Sequence, residues 1–246
     1  MGAPVFVLDR ERLGDGDRVV LDGPEGRHAA TVRRLVAGER VVLTDGAGLR
    51  ADCWVVSASA DRLELQVEAR TETPPDQPRA VVVQALPKGD RGELAVTTLT
   101  EVGADVVVPW QAARCVTRWT GPRADKAVAR WRTAAREAGK QSRRVRFPEV
   151  TDLASTADVA GLLRTAALPV VLHEEAAAPL ASVGPLPSAG DLVVVVGPEG
   201  GLAPDELAAF ADAGASAYRL GPSVLRTSTA GVVTLAVLFS RTARWA

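Results

Sequence analysis

Residues 191–201 have the sequence Asp-Leu-Val-Val-Val-Val-Gly-Pro-Glu-Gly-Gly, and Pro-Asp-Glu-Leu follows at 204–207. The unbroken apolar run is typical of a strand in a parallel sheet, because helices cover both faces of such a sheet. Proline and two acidic residues at 204–206 favour the first turn of a helix, whose amino end attracts negative charge. The stretch therefore predicts a strand, a glycine-rich turn and a helix, which together make one unit of an α/β domain. In such domains small molecules bind where the strands end.

The same alternation continues along the chain and predicts an α/β domain over residues 79–246. The predicted strands are 80–86, 105–109, 168–173, 191–196 and 216–220. The predicted helices are 90–103, 123–139, 156–166, 204–213 and 225–242. Apolar residues make up 47% of the 246 residues, which is enough for a packed core and argues against a disordered chain.

The first 73 residues have a different pattern. Short strands are predicted at 5–8, 18–21, 39–43 and 63–67, with one helix at 28–35. Turn signals separate the strands, so we expect a small β-barrel over residues 1–73. The proline-rich sequence Thr-Glu-Thr-Pro-Pro-Asp-Gln-Pro at 71–78 is typical of a linker, and the domain boundary is expected there.

Few residues could bind a metal or form a disulfide. The chain has two cysteines, Cys53 and Cys115, and two histidines, His28 and His173, all far apart in sequence. We therefore expect neither a metal site nor a disulfide. The sequence shows no signal peptide and no apolar stretch of bilayer-spanning length, so we expect a soluble cytoplasmic protein with no membrane partner.

Positive charge is concentrated at residues 111–146, which contain 11 basic and two acidic residues although the net charge of the chain is −1. On the predicted helix 123–139, at about 100° per residue, apolar residues fall on one face. The opposite face carries Lys126, Arg130, Arg132, Arg136 and Lys140, and the basic run continues into Arg143 and Arg144. Such a stripe binds RNA phosphates in one interpretation, and in the other it is a solvated helix face.

Two loops carry the candidate chemistry. The turn at 197–201 lacks the lysine of a phosphate-binding loop and is not GxGxxG, and Glu199 would repel a phosphate. It suits a ligand with a positive centre or with hydroxyl and amino donors, although taken alone it could be an ordinary turn. A second loop at 218–230, Tyr-Arg-Leu-Gly-Pro-Ser-Val-Leu-Arg-Thr-Ser-Thr-Ala, leads into an apolar helix. A cation at Arg226, beside the positive amino end of that helix, has an electrostatic cost, which makes this residue a candidate for function. Together the two loops predict a cofactor site.

Stretches spread over essentially the whole chain match one family. They are Gln84–Arg91, Glu101–Gly103, Glu137 with Gln141–Arg144, Leu172–Glu175, Val196–Leu202 and Leu220–Thr227, and in the amino-terminal part His28, Val32–Leu35, Gly38–Glu39 and Asp45–Gly46. With these motifs the chain resembles the RsmE family of 16S ribosomal RNA methyltransferases, within the SPOUT superfamily. The two carboxyl-terminal loops are the most specific part of the match.

The resemblance implies a PUA-like β-barrel that holds RNA, followed by a SPOUT-type α/β domain with a deep trefoil knot. It also implies S-adenosyl-L-methionine as the cofactor and methylation of N3 of uridine U1498, by a homodimer acting on 16S rRNA or the small ribosomal subunit. The cofactor-binding residues are then expected to be Leu172, His173, Glu174, Gly197, Pro198, Glu199, Gly200, Gly201, Leu220, Gly221, Leu225, Arg226, Thr229 and Ala230. RNA binding is expected from Arg33, Arg34 and Lys88 besides the basic stripe. Two alternatives stay open: a same-fold enzyme that methylates another base or a ribose 2′-hydroxyl, and a non-catalytic rRNA-binding assembly factor.

Three polar residues have competing roles at this stage. Uracil N3 must lose its proton to become a nucleophile, and Arg226 is the candidate that stabilises the negative charge left on the carbonyl oxygens. The alternative for Arg226 is a salt bridge to Glu199 or another acid. Glu199 is expected to anchor an amino group or cap its loop rather than act as a base, and His173 is expected to be structural.

The chain also departs from the family pattern. The family often has arginine at the position of Ser223 and glutamate at that of Ser228, and it often has an arginine before the aromatic residue where this chain has Pro4-Val5-Phe6. These departures leave the roles of single polar residues at 223–228 open, and they do not affect the glycines.

Overall fold

The structure is a computed structural model that describes residues 2–14 and 16–245. The chain divides into two compact units, one formed by the residues up to Pro75 together with Gly139–Phe147, the other by Asp76–Ala138 and Pro148 onward. The sequence places a boundary at the linker 71–78, and it does not predict that Gly139–Phe147 lies with the first unit. No helix in the described part of the chain is long and apolar enough to cross a membrane.

The first unit is built on a five-stranded sheet in the order β1-β3-β4-β5-β2. Its strands are β1 (Val5–Val7), β2 (Arg18–Leu21), β3 (Arg40–Thr44), β4 (Leu49–Ser59) and β5 (Arg62–Glu72). β1 is parallel to β3, and the other pairs are antiparallel. The helices are α1 (Arg10–Gly14) and α2 (Gly23–Arg27), and α2 continues into a π-helical turn over His28–Val32. The core contains Phe6, Leu13, Leu43 and Leu65.

Residues 139–147 extend this unit through specific contacts. The Thr44 hydroxyl donates to the carbonyl of Val145 at 3.1 Å, and the Phe147 N–H donates to the carbonyl of Gly46 at 2.8 Å. The Lys140 ammonium lies 2.9 Å from the Glu25 carboxylate, and only 9% of the lysine side chain is exposed. The sequence predicted Lys140 as part of an exposed stripe. That prediction was wrong because the last turn of its helix packs within the first unit.

The second unit contains a six-stranded, all-parallel sheet in the order β11-β9-β10-β6-β7-β8. The strands are β6 (Arg79–Ala85), β7 (Val106–Trp110), β8 (Glu149–Val150), β9 (Leu168–Leu172), β10 (Asp191–Val196) and β11 (Ser216–Tyr218). The helices are α3 (Arg91–Val102), α4 (Pro122–Gln141, whose last residues belong to the first unit), α5 (Thr156–Thr165), α6 (Pro204–Asp212) and α7 (Thr227–Phe239). The predicted α/β fold is therefore confirmed. The carboxyl ends of parallel strands share one edge, which brings the loops after them together.

The core of the second unit explains why these segments form the sheet. The valines of β6, β7 and β10 are buried, as the apolar runs predicted. Trp110 packs edge-to-face against Phe210 of α6, with ring centroids 5.4 Å apart. Helix α7 is apolar around its circumference and packs against α3, β6 and β10. The helix that carries Arg226 at its amino end is thus fixed within the core.

Candidate active site

A cavity of about 330 Å³ opens at the carboxyl edge of the parallel sheet. Three segments form it: residues 172–174 after β9, residues 196–202 after β10, and residues 218–230, which connect β11 to α7. The structure brings together every predicted cofactor residue except Gly200 and Thr229, which do not line the cavity. The two loops singled out in the sequence therefore face the same space.

The glycine-rich turn has the backbone geometry that its sequence predicted. Gly201 has φ of +71°, a left-handed conformation that L-residues rarely adopt, and its N–H donates to the carbonyl of Pro198 at 2.9 Å. The Glu199 carboxylate accepts the backbone N–H of Lys88 at 3.2 Å, which ties the turn to the loop after β6. This contact to a second loop was not expected, and the predicted roles of Glu199, which are anchoring an amino group or capping its own loop, stay predictions.

Arg226 lies at the amino end of α7 and lines the cavity. Its carbonyl accepts the N–H groups of Thr229 at 2.8 Å and Ala230 at 2.9 Å, so its backbone is part of the helix start. Its exposed guanidinium forms no ion pair or hydrogen bond with any residue that the structure describes. The alternative interpretation, a salt bridge from Arg226 to Glu199 or another acid, is therefore not seen among the described residues. The charge of Arg226 is available to a ligand.

His173 and Glu174 form the wall after β9. The His173 N–H donates to the carbonyl of Tyr218 at 3.0 Å, and its Nδ1 accepts the N–H of Glu175 at 3.3 Å, so this ring orders its own loop. This is the structural role that the sequence predicted. Glu174 Oε1 lies 3.7 Å from the point where a Cβ on Gly201 would sit. Its carboxylate has no hydrogen-bond partner in the described part of the chain.

Several further residues of the cavity wall lie in or beside the predicted loops but were not named individually as cofactor-binding residues. Tyr218 and Arg219 line it, as do Val196, Leu202, Pro222, Ser223, Val224 and Thr227. The Arg219 guanidinium donates to the carbonyls of Ala176 (2.7 Å) and Ala177, which ties the loop after β9 to the end of β11. Arg219 directly follows the observed strand β11, which ends at Tyr218, whereas the sequence predicted that the strand extends to residue 220.

Gln84 at the end of β6 also supports the site, although it does not line the cavity. Its side chain is 1% exposed. Nε2 donates to the carbonyl of Thr227 at 3.3 Å and to that of Ala85 at 3.1 Å, while Oε1 has no partner among the described residues. Gln84 therefore fixes the first residue of α7 against the central strand.

The predicted RNA-binding residues divide between the two units. Lys88, Lys126, Arg130, Arg132 and Arg136 are exposed in the second unit, where Arg132 pairs with Asp152 at 2.9 Å and Arg130 lies 3.6 Å from Glu93. Arg33, Arg34 and Arg143 are exposed in the first unit, and Arg144 is half-buried. Four of the five residues of the predicted stripe on α4 are therefore exposed and Lys140 is not, and RNA binding by these residues stays a prediction. The described residues include no cluster of three or more histidine, cysteine or acidic side chains that could hold a metal ion.

Comparisons with known proteins agree with this architecture. Residues 74–239 match the RNA methyltransferase domain family, and residues 21–68 match the RNA methyltransferase PUA domain family. Ribosomal RNA small subunit methyltransferase E of Mycobacterium bovis is 50% identical over 250 aligned positions, which cover 100% of this chain and 94% of that protein. The enzyme of the same name from Bacillus subtilis is 31% identical, covering 96% of this chain and 94% of the relative.

A solved structure has the same fold. The crystal structure of a ribosomal RNA small subunit methyltransferase E from Neisseria gonorrhoeae bound to S-adenosyl methionine superimposes with a TM-score of 0.83 at 24% identity, covering 97% of this chain and 98% of that one. The first unit matches a PUA domain and the second an RNA methyltransferase domain. The chain therefore belongs to the ribosomal RNA small subunit methyltransferase E (RsmE) family.

Proposed function

We propose that this protein transfers a methyl group from S-adenosyl-L-methionine to N3 of uridine U1498 in 16S ribosomal RNA. The observation that carries the proposal is the cavity at the sheet edge, where a glycine-rich turn, the Glu174 carboxylate and Arg226 converge, and neither side chain has a partner among the described residues. Family membership supports the rRNA substrate, and the cofactor is the one bound in the relative from Neisseria gonorrhoeae.

The residues of the cavity fit this cofactor. A cavity of about 330 Å³ lies in the range of roughly 300–1,000 Å³ typical of small-molecule sites. Leu172, Leu202 and Leu225 offer apolar contacts to an adenine ring. The Glu174 carboxylate can accept hydrogen bonds from an ammonium or from ribose hydroxyls, and the turn at 197–201 lets the backbone approach closely. When bound, S-adenosylmethionine supplies an electrophilic methyl group on a sulfonium centre.

Arg226 is the residue that we propose for the chemical step. Loss of the N3 proton leaves negative charge on the two carbonyl oxygens of uracil. A guanidinium that has no acid to neutralise it can donate to one of those oxygens as the charge develops. The buried start of α7, which Gln84 fixes at Thr227, holds the arginine in place.

RNA binding and assembly complete the proposal. Exposed cations in both units are available to rRNA phosphates, and the family resemblance implies a homodimer that works in the cytoplasm. Val224 at the rim of the cavity is 79% exposed, as expected for a residue that a second subunit or the RNA covers. Light scattering of the purified protein measures the oligomeric state directly, and a monomer at micromolar concentration would contradict the homodimer.

We also propose the trefoil knot that the SPOUT resemblance implies. Two contacts support this proposal. Helix α7 packs on α3, β6 and β10, and Arg241 after it donates to the carbonyl of Val183, in the β9–β10 connection, at 2.9 Å. A carboxyl-terminal segment that passes through that connection would make such contacts. Pulling the chain from both ends measures the knot. A knotted chain extends to less than the roughly 3.3–3.6 Å per residue of an open chain, and full extension would exclude it.

Methylation of small ribosomal subunits from a strain that lacks the modification tests the function. We expect the wild-type protein to transfer label from S-adenosylmethionine to one uridine, and mass spectrometry of the nucleosides to identify 3-methyluridine. Arg226→Ala is expected to lower kcat by 100-fold or more, on the order of the loss of one donor to a developing oxyanion, with little change in cofactor affinity. A product methylated on another base or on ribose would replace the proposed target. Binding without methylation would favour the assembly factor.

A further inference from the structure

The loop between β7 and α4, residues 111–121, contacts the glycine-rich turn through Arg114. The Arg114 guanidinium donates through Nη1 to the carbonyl of Gly200 at 3.3 Å. A Cβ on Gly200 would lie 3.1 Å from both the Cβ and the carbonyl oxygen of Arg114. The approach is tight, so a side chain at position 200 would require the Arg114 segment to shift by a few tenths of an ångström. Arg114 was not among the residues predicted for the site.

Hydrogen bonds hold this loop in one conformation. The Ala113 N–H donates to the buried Glu206 carboxylate at 2.8 Å, and the Thr117 hydroxyl donates to the carbonyl of Pro87 at 2.8 Å. The Trp119 N–H donates to the side-chain oxygen of Gln111, also at 2.8 Å. A side chain carried by such a fixed backbone is held at the rim of the cavity at little cost in conformational entropy.

Two opposite charges lie near Gly201 in the glycine-rich turn. Arg114 Nη1 and Glu174 Oε1 lie 3.9 Å and 3.7 Å from the position of a Cβ on Gly201, yet they form no ion pair with each other. Arg114 is exposed, and its guanidinium donates one hydrogen bond to the turn within the described part of the chain, although a guanidinium has five N–H donors. Lys88 is a second exposed cation here, since its backbone N–H contacts Glu199 in the same turn.

We propose that Arg114 binds a phosphate of the RNA strand beside the target nucleotide and so positions the acceptor base over the cavity. The inference rests on the proposed function and extends it by assigning the RNA side of the site. A guanidinium with unused donors binds a phosphate in a two-point geometry that a lysine cannot reproduce. Glu174 lines the cavity that we propose for the cofactor, whereas Arg114 contacts the turn from outside that lining. We therefore assign Glu174 to the cofactor and Arg114 to the RNA.

Three variants test this assignment: Arg114→Ala, Arg114→Lys and, as a control, Arg164→Ala. Arg164 is an exposed arginine in the last turn of α5, which precedes β9 and so lies toward the opposite edge of the sheet. Fluorescence anisotropy measures the Kd of a 16S rRNA fragment containing U1498 at several salt concentrations, and calorimetry measures the Kd of S-adenosylmethionine.

We expect Arg114→Ala to raise the RNA Kd by about 10-fold and to reduce the slope of log Kd against log salt by about one. Arg114→Lys should keep the slope and recover only part of the affinity. The S-adenosylmethionine Kd should stay within about two-fold of wild type. Arg164→Ala should match wild type in both titrations.

Two results would overturn the assignment. One is an unchanged RNA Kd in Arg114→Ala. The other is a loss of cofactor affinity at least as large as the loss of RNA affinity, because Arg114 would then only clamp the carbonyl of Gly200. Failure of the proposed function gives a different result. In the methylation assay, neither the wild-type protein nor Arg164→Ala would then methylate the RNA.

Discussion

Replacement of Glu206 by glutamine is the sharpest test of how the loops around the cavity are held. Glu206 is 4% exposed, in the first turn of α6. Its carboxylate accepts the N–H of Ala113 at 2.8 Å, the N–H of Ala203 at 2.9 Å and the hydroxyl of Thr156 at 3.4 Å. It therefore joins the loop that carries Arg114 to the helix that follows the glycine-rich turn.

The expected magnitude follows from those contacts. Glutamine keeps the shape of the side chain but replaces one acceptor oxygen with an NH₂ donor. One of the two partly buried backbone N–H groups, at Ala113 or Ala203, then loses its acceptor, and the amide NH₂ of the buried side chain faces it instead. An unsatisfied buried donor costs about 1–3 kcal/mol, so we expect Glu206→Gln to lower the free energy of unfolding by about 2 kcal/mol. That loss corresponds to roughly a 30-fold change in the unfolding equilibrium at about 1.4 kcal/mol per factor of ten.

Urea denaturation followed by tryptophan fluorescence measures this loss. Of the five tryptophans only Trp54 lies in the first unit, so the signal reports mainly on the second. Asp205→Asn is the matched control, because it removes the same charge from the same helical turn at an exposed position. It should cost less than about 1 kcal/mol. If Glu206→Gln and Asp205→Asn agree within about 0.5 kcal/mol, the carboxylate does not hold the loops together.

Three further predictions concern backbone strain and cysteine chemistry. Gly201→Ala introduces no clash, since its Cβ would have neighbours at 3.7 and 3.9 Å. The left-handed backbone should nevertheless lower the free energy of unfolding by about 1–2 kcal/mol, measured by urea denaturation. An unchanged denaturation midpoint would contradict the positive φ of Gly201. Arg34 has φ of +55°, a strained conformation for a residue with a side chain. Arg34→Gly should therefore be about 1 kcal/mol more stable than Arg34→Ala, and both variants should lose the same RNA affinity. Equal stabilities of the two variants would argue against backbone strain at position 34. Burial raises the pKa of Cys53 to about 11 and also raises the pKa of Cys115. At pH 8 the native protein should therefore react slowly with a thiol reagent that modifies both cysteines rapidly after unfolding in guanidinium; fast labelling of the native protein would show that the thiols are accessible.

The second unit could be predicted from sequence because its signals are local. Buried parallel strands are continuous apolar runs, and the strands that end at Leu172 and Val196 are followed by turn residues that mark their ends. Strand β4 of the first unit was not named among the predicted strands, although its alternation is regular: Leu49, Ala51, Cys53 and Val55 are buried, and Arg50 and Asp52 between them are half-buried. The two-residue strand β8 is too short to give a pattern.

The packing of residues 139–147 could not be predicted in the same way. It depends on contacts such as Thr44 with Val145 and Phe147 with Gly46, which join residues about a hundred positions apart. From sequence, Lys140 continues the basic face of α4, and nothing local indicates that Glu25 will pair with it. Its burial is a tertiary effect that overrides the helical periodicity.

The site shows the same division between local and distant determinants. Glycines and a helix start marked the loops that form the cavity wall, whereas the contacts that position those loops come from β6 and β7. Gln84 binds Thr227, the backbone of Lys88 binds Glu199, and Arg114 binds Gly200, each across 86 or more residues of sequence. A change at Gln84 or Arg114, outside the wall, is therefore expected to alter the cavity through these contacts. This is why the two loops could be recognised from the sequence alone while the residues that hold them in register required the structure.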